Sequence, residues 1–173
     1  YSINKHASIS TNILKLHKEV SQKQINIDHI NDQKNIGKTP FSFQRFCIPE
    51  LNNFTDTAIY LDSDMLVFKD ILSLCNQNID NKEFLSCKVN ESWKRSPQLS
   101  VMYINCKIAK WNVNSIIQSL NNNTYSYSDI FNHVKFSDNW DRGISSNWNS
   151  LEHYDESTCL IHFTDMDTQP WID

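Results

Sequence analysis

Among its 173 residues the chain has only two glycines, Gly37 and Gly143. Two isolated glycines cannot build the Gly-rich loops with which Walker and dinucleotide-binding sites cradle phosphate. Any phosphate bound here has to be held by side chains or through a cation. Proline is scarce too, at four residues, and no Pro/Gly/Ser-rich stretch divides the chain. No apolar run approaches the ~20 residues that a bilayer-crossing helix needs. Basic charge is not in excess: 16 Lys and Arg against 20 Asp and Glu leave a formal net charge of -4. Nucleic acid is therefore not an expected partner.

Paired cysteine motifs are absent as well. Cys47, Cys75, Cys87, Cys106 and Cys159 are odd in number, widely spaced and set among apolar residues. That pattern fits neither a disulfide framework nor a Cys-x-x-Cys metal site. It fits free thiols in a reducing compartment, which places the protein in the cytoplasm or at the cytoplasmic face of a membrane. The chain opens on Tyr1 and not Met, so it reads as a fragment whose start is missing. Its length and 39% hydrophobic content suit one domain, residues 1–173, incomplete at the amino terminus and open to continuation at the carboxyl terminus.

One stretch carries chemistry on its face. Ala58-Ile59-Tyr60-Leu61 runs into Asp62-Ser63-Asp64, and a second apolar run, Met65 to Phe68, follows at once. The pattern predicts a strand buried on both faces of a parallel sheet. Such a strand delivers its polar residues at its carboxyl end, where ligands of open α/β sheets bind. Two aspartates one residue apart repel each other unless a cation neutralises them. Mg²⁺ and Mn²⁺ prefer oxygen ligands and share their shells with phosphates. In an extended strand Asp62 and Asp64 point to one face, with Ser63 opposite. The bland alternative is a surface turn rich in Asp and Ser, but such turns are flanked by polar residues.

Around this centre, the sequence predicts a helix tail at Tyr1–Ala7, a strand through Ile9, Thr11, Ile13 and Leu14, and a polar loop from Ser21 to Pro40. A helix follows over Phe41–Leu51, capped by Thr39, started by Pro40 and kinked near its end by Pro49. Further on come a short helix at Asp70–Cys75, a strand at Phe84–Val89, a loop at Asn90–Pro97 and a buried strand at Leu99–Cys106. The apolar spacing of Val113, Ile116, Ile117 and Leu120 predicts a helix from Asn112. The remainder reads as a short helix at Tyr127–Val134, an irregular loop at Asp138–Ser146, an extended piece at Trp148-Asn149, and a terminal strand, Cys159–Phe163, carrying His162. A lone strand-end histidine is more often structural than ligating. Its pairing with an Asp-x-Asp changes that weighing, because neutral imidazole can complete a Mn²⁺ shell.

Taken together, Ala-Ile-Tyr-Leu-Asp-Ser-Asp-Met-Leu-Val, the preceding Phe-Ser-Phe-Gln-Arg-Phe-Cys-Ile-Pro-Glu-Leu and the closing Ile-His-Phe-Thr-x5-Pro-Trp resemble the family 8 glycosyltransferases. The resemblance implies an α/β GT-A (Rossmann-like) fold for nucleotide-diphospho-sugar transfer, with a single mixed, mostly parallel sheet flanked by helices. It implies a hexosyltransferase-like enzyme that takes a UDP-sugar with Mn²⁺ (or Mg²⁺) and glycosylates a glycan, lipid-linked or protein acceptor with retention. Asp62, Asp64 and His162 then match the metal ligands. Arg45, Ser63 and Gln169 join Asp62 and Asp64 in the donor site. Ser100-Val101-Met102 falls where relatives carry Asn-Ser-Gly-Val, and Trp148-Asn149 matches a Trp-Asn before the last strands.

Two departures touch the chemistry. Gln169 stands where relatives have the lysine of Lys-Pro-Trp, and the Asp-Gln pair near the reacting sugar is absent, leaving Asp129 and Asp138 as the nearest carboxylates. Two alternatives stay open: a GT-A module that binds a nucleotide-sugar or glycan without turnover, and a haloacid-dehalogenase-like phosphatase with Asp62 as nucleophile. Trp93, Lys94 and Arg95 read more simply as a solvated loop than as a phosphate or acceptor contact. Asp165 and Asp167 read as an ordinary acidic loop.

Overall fold

A computed structural model describes residues 2–31, 33–35, 41–90, 95–165, 167 and 169–171. Gly37, the expected cap at Thr39-Pro40, and Trp93 and Lys94 lie outside the described residues. In chain order the elements are α1 (Ser2–His6), α2 (Leu16–Gln22), a 3-10 turn (Gln33–Asn35), a second 3-10 turn (Gln44–Cys47) that runs into α3 (Ile48–Leu51), β1 (Thr57–Leu61), β2 (Met65–Val67), α4 (Leu72–Cys75) and β3 (Phe84–Cys87). They continue with β4 (Val101–Asn105), α5 (Val113–Asn121), α6 (Tyr127–Phe131), β5 (Trp140–Ile144), a 3-10 turn (Ser146–Asn149), β6 (Ser150–Leu151) and β7 (Leu160–His162).

The strands form two sheets, ordered β1-β4-β3-β5 and β2-β7-β6. The fold is the expected α/β architecture with sheets flanked by helices. Its detail corrects the expectation of one mostly parallel sheet: β1–β4, β3–β4 and β2–β7 are antiparallel, and only β3–β5 and β6–β7 are parallel. The strands buried on both faces are β3 and β4, all of whose residues are buried. Among the described residues β1 is a half-buried edge strand, paired only with β4. Apolar runs identify strands, but burial on two faces depends on neighbours that the run does not encode.

Alternation along β3 and β4 splits the core. Phe84, Met102 and Ile104 pack with α5, α6 and the aromatic residues Phe43, Phe46 and Trp111. Leu85, Val101 and Tyr103 face the opposite layer, where Val67 of β2, Leu160 of β7, Leu74 of α4 and Trp148 close the second core. On α5, Val113, Ile116, Ile117 and Leu120 are the buried residues, and Asn112 caps the helix by accepting from Ser115 N–H. Each such burial contributes ~1.5–3 kcal/mol, so the face and the cap together hold this helix. Gly143 serves a close approach: a Cβ there would meet Leu85 Cδ2 at 3.3 Å.

Four local expectations change. Ile9 to Leu14 forms no strand, and Ile9, Ile13 and Leu14 are exposed; an unpaired segment has no ladder to join. Residues 140–144 form β5 because β3 offers a parallel partner. Trp148-Asn149 sits in a 3-10 turn rather than an extended piece. Pro49 does not kink its helix, since it lies at the start of the α3 turn, where its missing N–H is not needed. All five cysteines are free. Among the described residues no helix is long and apolar enough to cross a membrane.

Candidate metal and donor site

Strands β1, β3 and β5 run in one direction, so their carboxyl ends share a rim. Asp62 continues the β1 ladder by one bond, its N–H donating to Ser100 C=O at 3.1 Å. The chain then leaves the four-stranded sheet and enters β2 of the other at Met65. Asp62-Ser63-Asp64 is therefore the crossing between two sheets. This turn, rather than the pleat of one strand, brings the two carboxylates together. Across from it, β7 pairs antiparallel with β2, Met65 opposite His162, and Phe163 N–H donates to Asp64 C=O at 2.9 Å.

One ligand atom from each of Asp62, Asp64 and His162 falls within 4.8 Å of the others. His162 Nε2 lies 3.2 Å from Asp64 Oδ1 and 3.9 Å from Asp62 Oδ2. The ring is buried, and its Nδ1 is 2.9 Å from Asn149 Oδ1. If Nδ1–H donates there, a neutral ring presents its Nε2 lone pair to Asp64, acceptor against acceptor. Asp64 Oδ1 is itself buried, with no hydrogen-bond donor among the described residues. Two carboxylate oxygens and one imidazole nitrogen that converge, with Asp64 Oδ1 lacking a donor among the described residues, are the donor set of a hard divalent cation. The residues present fit such an ion.

Asp62 is held from its other side. Arg45 Nη2 stands 3.3 Å from Asp62 Oδ1, while Nη1 donates to Leu99 C=O at 2.6 Å and Nε to Ser42 C=O at 2.9 Å. The buried guanidinium packs over the rings of Tyr60, at 4.7 Å, and Phe131, at 5.4 Å. Tyr60 also donates its phenol O–H to Asp62 Oδ1. Burial pushes that phenol well above its ordinary value, the Arg45 charge opposing, so it remains a donor. Both clamps grip Oδ1 and leave Oδ2 turned to His162.

The other candidates distribute as follows. Ser63 is exposed at the crossing. Gln169 Nε2 donates to Phe163 C=O at 2.9 Å, and its Oε1 accepts from Trp171 Nε1 at 3.1 Å, so its amide ties the tail back beside His162. Asp129 closes the capping box of α6 with Ser126 and pairs with Lys135 at 2.7 Å. Asp138 is exposed just before β5, at the rim opposite Asp62. Neither carboxylate joins the Asp62–Asp64–His162 group. Arg95 faces Glu152 at 3.9 Å, and Glu152 Oε1 accepts from the N–H groups of Thr164 and Asp165. Sequence reading missed Tyr60 as the clamp on Asp62, although a tyrosine two residues before an aspartate in a strand shares its face. It also missed Asn149 as the partner of His162, for which no local signal exists.

A family model described as "Glycosyl transferase family 8" matches residues 1–133, a span that contains Arg45, Asp62 and Asp64 but not His162 or Gln169. No curated protein matches the chain. Among solved structures, the apo form of the glycosyltransferase GlyE of Streptococcus pneumoniae TIGR4 is similar, with 22% identity, 79% of this chain and 40% of that chain covered, and a TM-score of 0.52. The galactosyltransferase LgtC, solved in complex with donor and acceptor sugar analogs, is similar at 15% identity and a TM-score of 0.55 over 90% of this chain and 66% of that one. The chain thus spans 40% of the length of GlyE and 66% of LgtC.

Proposed function

The chain belongs to the family 8 glycosyltransferases, and on that premise we propose that it takes part in moving a hexose from a UDP-sugar to a glycan, lipid-linked or protein acceptor, with retention. The observation that carries the reading is the convergence of Asp62, Asp64 and His162 at one rim, with Asp64 Oδ1 left without a donor among the described residues. Asp62 Oδ2, Asp64 Oδ1 and His162 Nε2 are the atoms that would hold Mn²⁺ or Mg²⁺. Bound there, the ion supplies positive charge against the diphosphate leaving group. Arg45 and Tyr60 keep Asp62 in one orientation, and Ser63 lies exposed between the two carboxylates for contact with the donor. In the reaction the bond from the sugar's anomeric carbon to the diphosphate breaks. A bond to the acceptor hydroxyl forms on the same face, and the leaving phosphate takes the hydroxyl proton. The five free thiols support a reducing, cytoplasmic setting.

A second reading, a donor- or glycan-binding module without turnover, is favoured by two observations. Gln169 replaces a cation and is engaged by the backbone, and Asp129 is engaged by Lys135. The phosphatase alternative falls with the family membership, and Asp62 Oδ1, gripped by Arg45 and Tyr60, is poorly disposed as a nucleophile.

Thermal-shift titration tests the reading: Mn²⁺ with UDP against Mn²⁺ alone, Mn²⁺ with GDP, and Asp62→Ala and Asp64→Ala controls. UDP at 100 times its dissociation constant should add ~2.7 kcal/mol of stability. Stabilisation that survives both substitutions overturns the site. Stabilisation without UDP release from any UDP-sugar selects the binding module.

A further inference from the structure

Behind the metal and donor site runs a chain of neutral amides. His162 Nδ1 meets Asn149 Oδ1 at 2.9 Å, Asn149 Nδ2 donates to Gln98 Oε1 at 3.4 Å, and Ser100 Oγ donates to the same Gln98 oxygen at 3.4 Å. Asn149 is buried and stands on the 3-10 turn packed against β7.

We propose that Asn149 is a positioning residue, whose carboxamide holds the His162 ring in the tautomer and orientation that turn an unprotonated Nε2 toward Asp62 and Asp64. The inference rests on the cation reading of the same site and deepens it.

The reason lies in the two ways the amide can stand. With Oδ1 toward the ring, Asn149 accepts from Nδ1–H, and the ring can offer Nε2 only as a lone pair. With Nδ2 toward the ring, the proton would sit on Nε2, donate to Asp64 Oδ1 across the 3.2 Å gap and close the site to a cation. Asn149 Nδ2 lies toward Gln98 Oε1 at 3.4 Å, which leaves Oδ1 as the end of the carboxamide that faces the ring. That arrangement accords with Asp64 Oδ1 having no donor among the described residues. A partner on the far nitrogen of a ligating histidine sets ring orientation and basicity, and its loss weakens metal binding ~10–100-fold.

Two measurements on the 173-residue chain test this. Nitrogen-15 NMR of the metal-free protein reads the protonation of the two His162 nitrogens, and Mn²⁺ titration followed by electron paramagnetic resonance reads affinity. Where the ring is neutral, the unaltered chain should carry its single proton on Nδ1. Asn149→Leu should mix the tautomers and weaken Mn²⁺ binding ~10–100-fold. Asn149→Asp, which can only accept, should restore both the tautomer and most of the affinity. A neutral, metal-free His162 ring that carries its proton on Nε2, an Asn149→Leu chain that binds Mn²⁺ as tightly as the unaltered one, or an Asn149→Asp chain as weak as Asn149→Leu would overturn the inference and leave the Asp62–Asp64 site standing. No Mn²⁺ binding by the unaltered chain would overturn the metal reading and this inference with it. The tautomer measurement needs no variant, so a failure of Asn149→Leu to fold does not remove the test.

Discussion

His162 stands opposite Met65 in the antiparallel pairing of β7 with β2, one residue from Asp64. That single register brings together two side chains nearly a hundred positions apart. A slip of one residue would turn His162 to the other face of its sheet. The site is therefore as well defined as the smaller sheet, whose strands are only two or three residues long.

Asp64 Oδ1 is buried without a hydrogen-bond donor among the described residues, an arrangement that costs stability. Asp64→Asn, which can donate to His162 Nε2, should raise metal-free stability by ~1 kcal/mol, about 2–4 °C in Tm for a chain of this size. The same variant should lose all stabilisation by Mn²⁺. A melt that falls in the metal-free state would show that Asp64 is already paired.

Arg45 satisfies two carbonyls and Asp62 while packed between Tyr60 and Phe131. Arg45→Met keeps much of the packing but strands those acceptors, at a cost of ~2 kcal/mol after discounting for the partial exposure of Asp62. Denaturant melts should show that loss. Arg45→Lys should recover little of it, because an ammonium cannot reproduce the fork that reaches Ser42, Leu99 and Asp62 together.

Thiol chemistry should divide by depth. Burial pushes the Cys47 thiol up to about 12, with the Glu50 charge adding, and raises Cys87 and Cys106 as well. At pH 8 a thiol reagent should label the half-buried Cys75 and Cys159 first, and the other three only on unfolding. The unfolded chain releases these protons near 9 and the folded chain only at higher pH. This contribution to stability is full below pH ~9 and lost as pH rises towards 12. An alkaline melt series that stays flat from pH 8 to 11 would contradict the burial of these thiols.

Acid should act in the opposite direction at α6. The hydrogen bond from Lys135, and those from Ser126 N–H and Oγ, hold the Asp129 carboxyl below its ordinary range. The stabilisation is present above pH ~4 and lost as pH falls below it. Asp129→Asn should flatten part of the acid limb of a stability–pH curve without altering Mn²⁺ binding. Loss of catalysis in a chain that keeps its fold and its metal would instead put Asp129 at the chemistry.

Core and surface leucines should separate widely. Leu120, fully buried against the aromatic cluster, should lose ~2–5 kcal/mol on Leu120→Ala. Leu14→Ala, at an exposed position, should stay within ~0.5 kcal/mol. Equal losses would mean that the segment before α2 is packed after all.

What the sequence determined by itself was whatever is written in short range. The 3.6-residue spacing of Val113, Ile116, Ile117 and Leu120 gave a helix, and continuous apolar runs gave β1, β3, β4 and β7. The interruption of such runs by Asp62-Ser63-Asp64 and by His162 marked the ends at which polar groups emerge. Tertiary structure decided the rest, because pairing is a property of two segments. Residues 140–144 became a strand only because β3 had a free edge, and Ile9 to Leu14 stayed irregular for want of one. The Asp-Ser-Asp was legible as chemistry, but its role as the crossing between two sheets was not. The burial of Asp64 Oδ1, the grip of Tyr60 and Arg45 on Asp62, and the contact of Asn149 with His162 all depend on which side chains the two sheets bring within hydrogen-bond reach, and no local pattern records that distance.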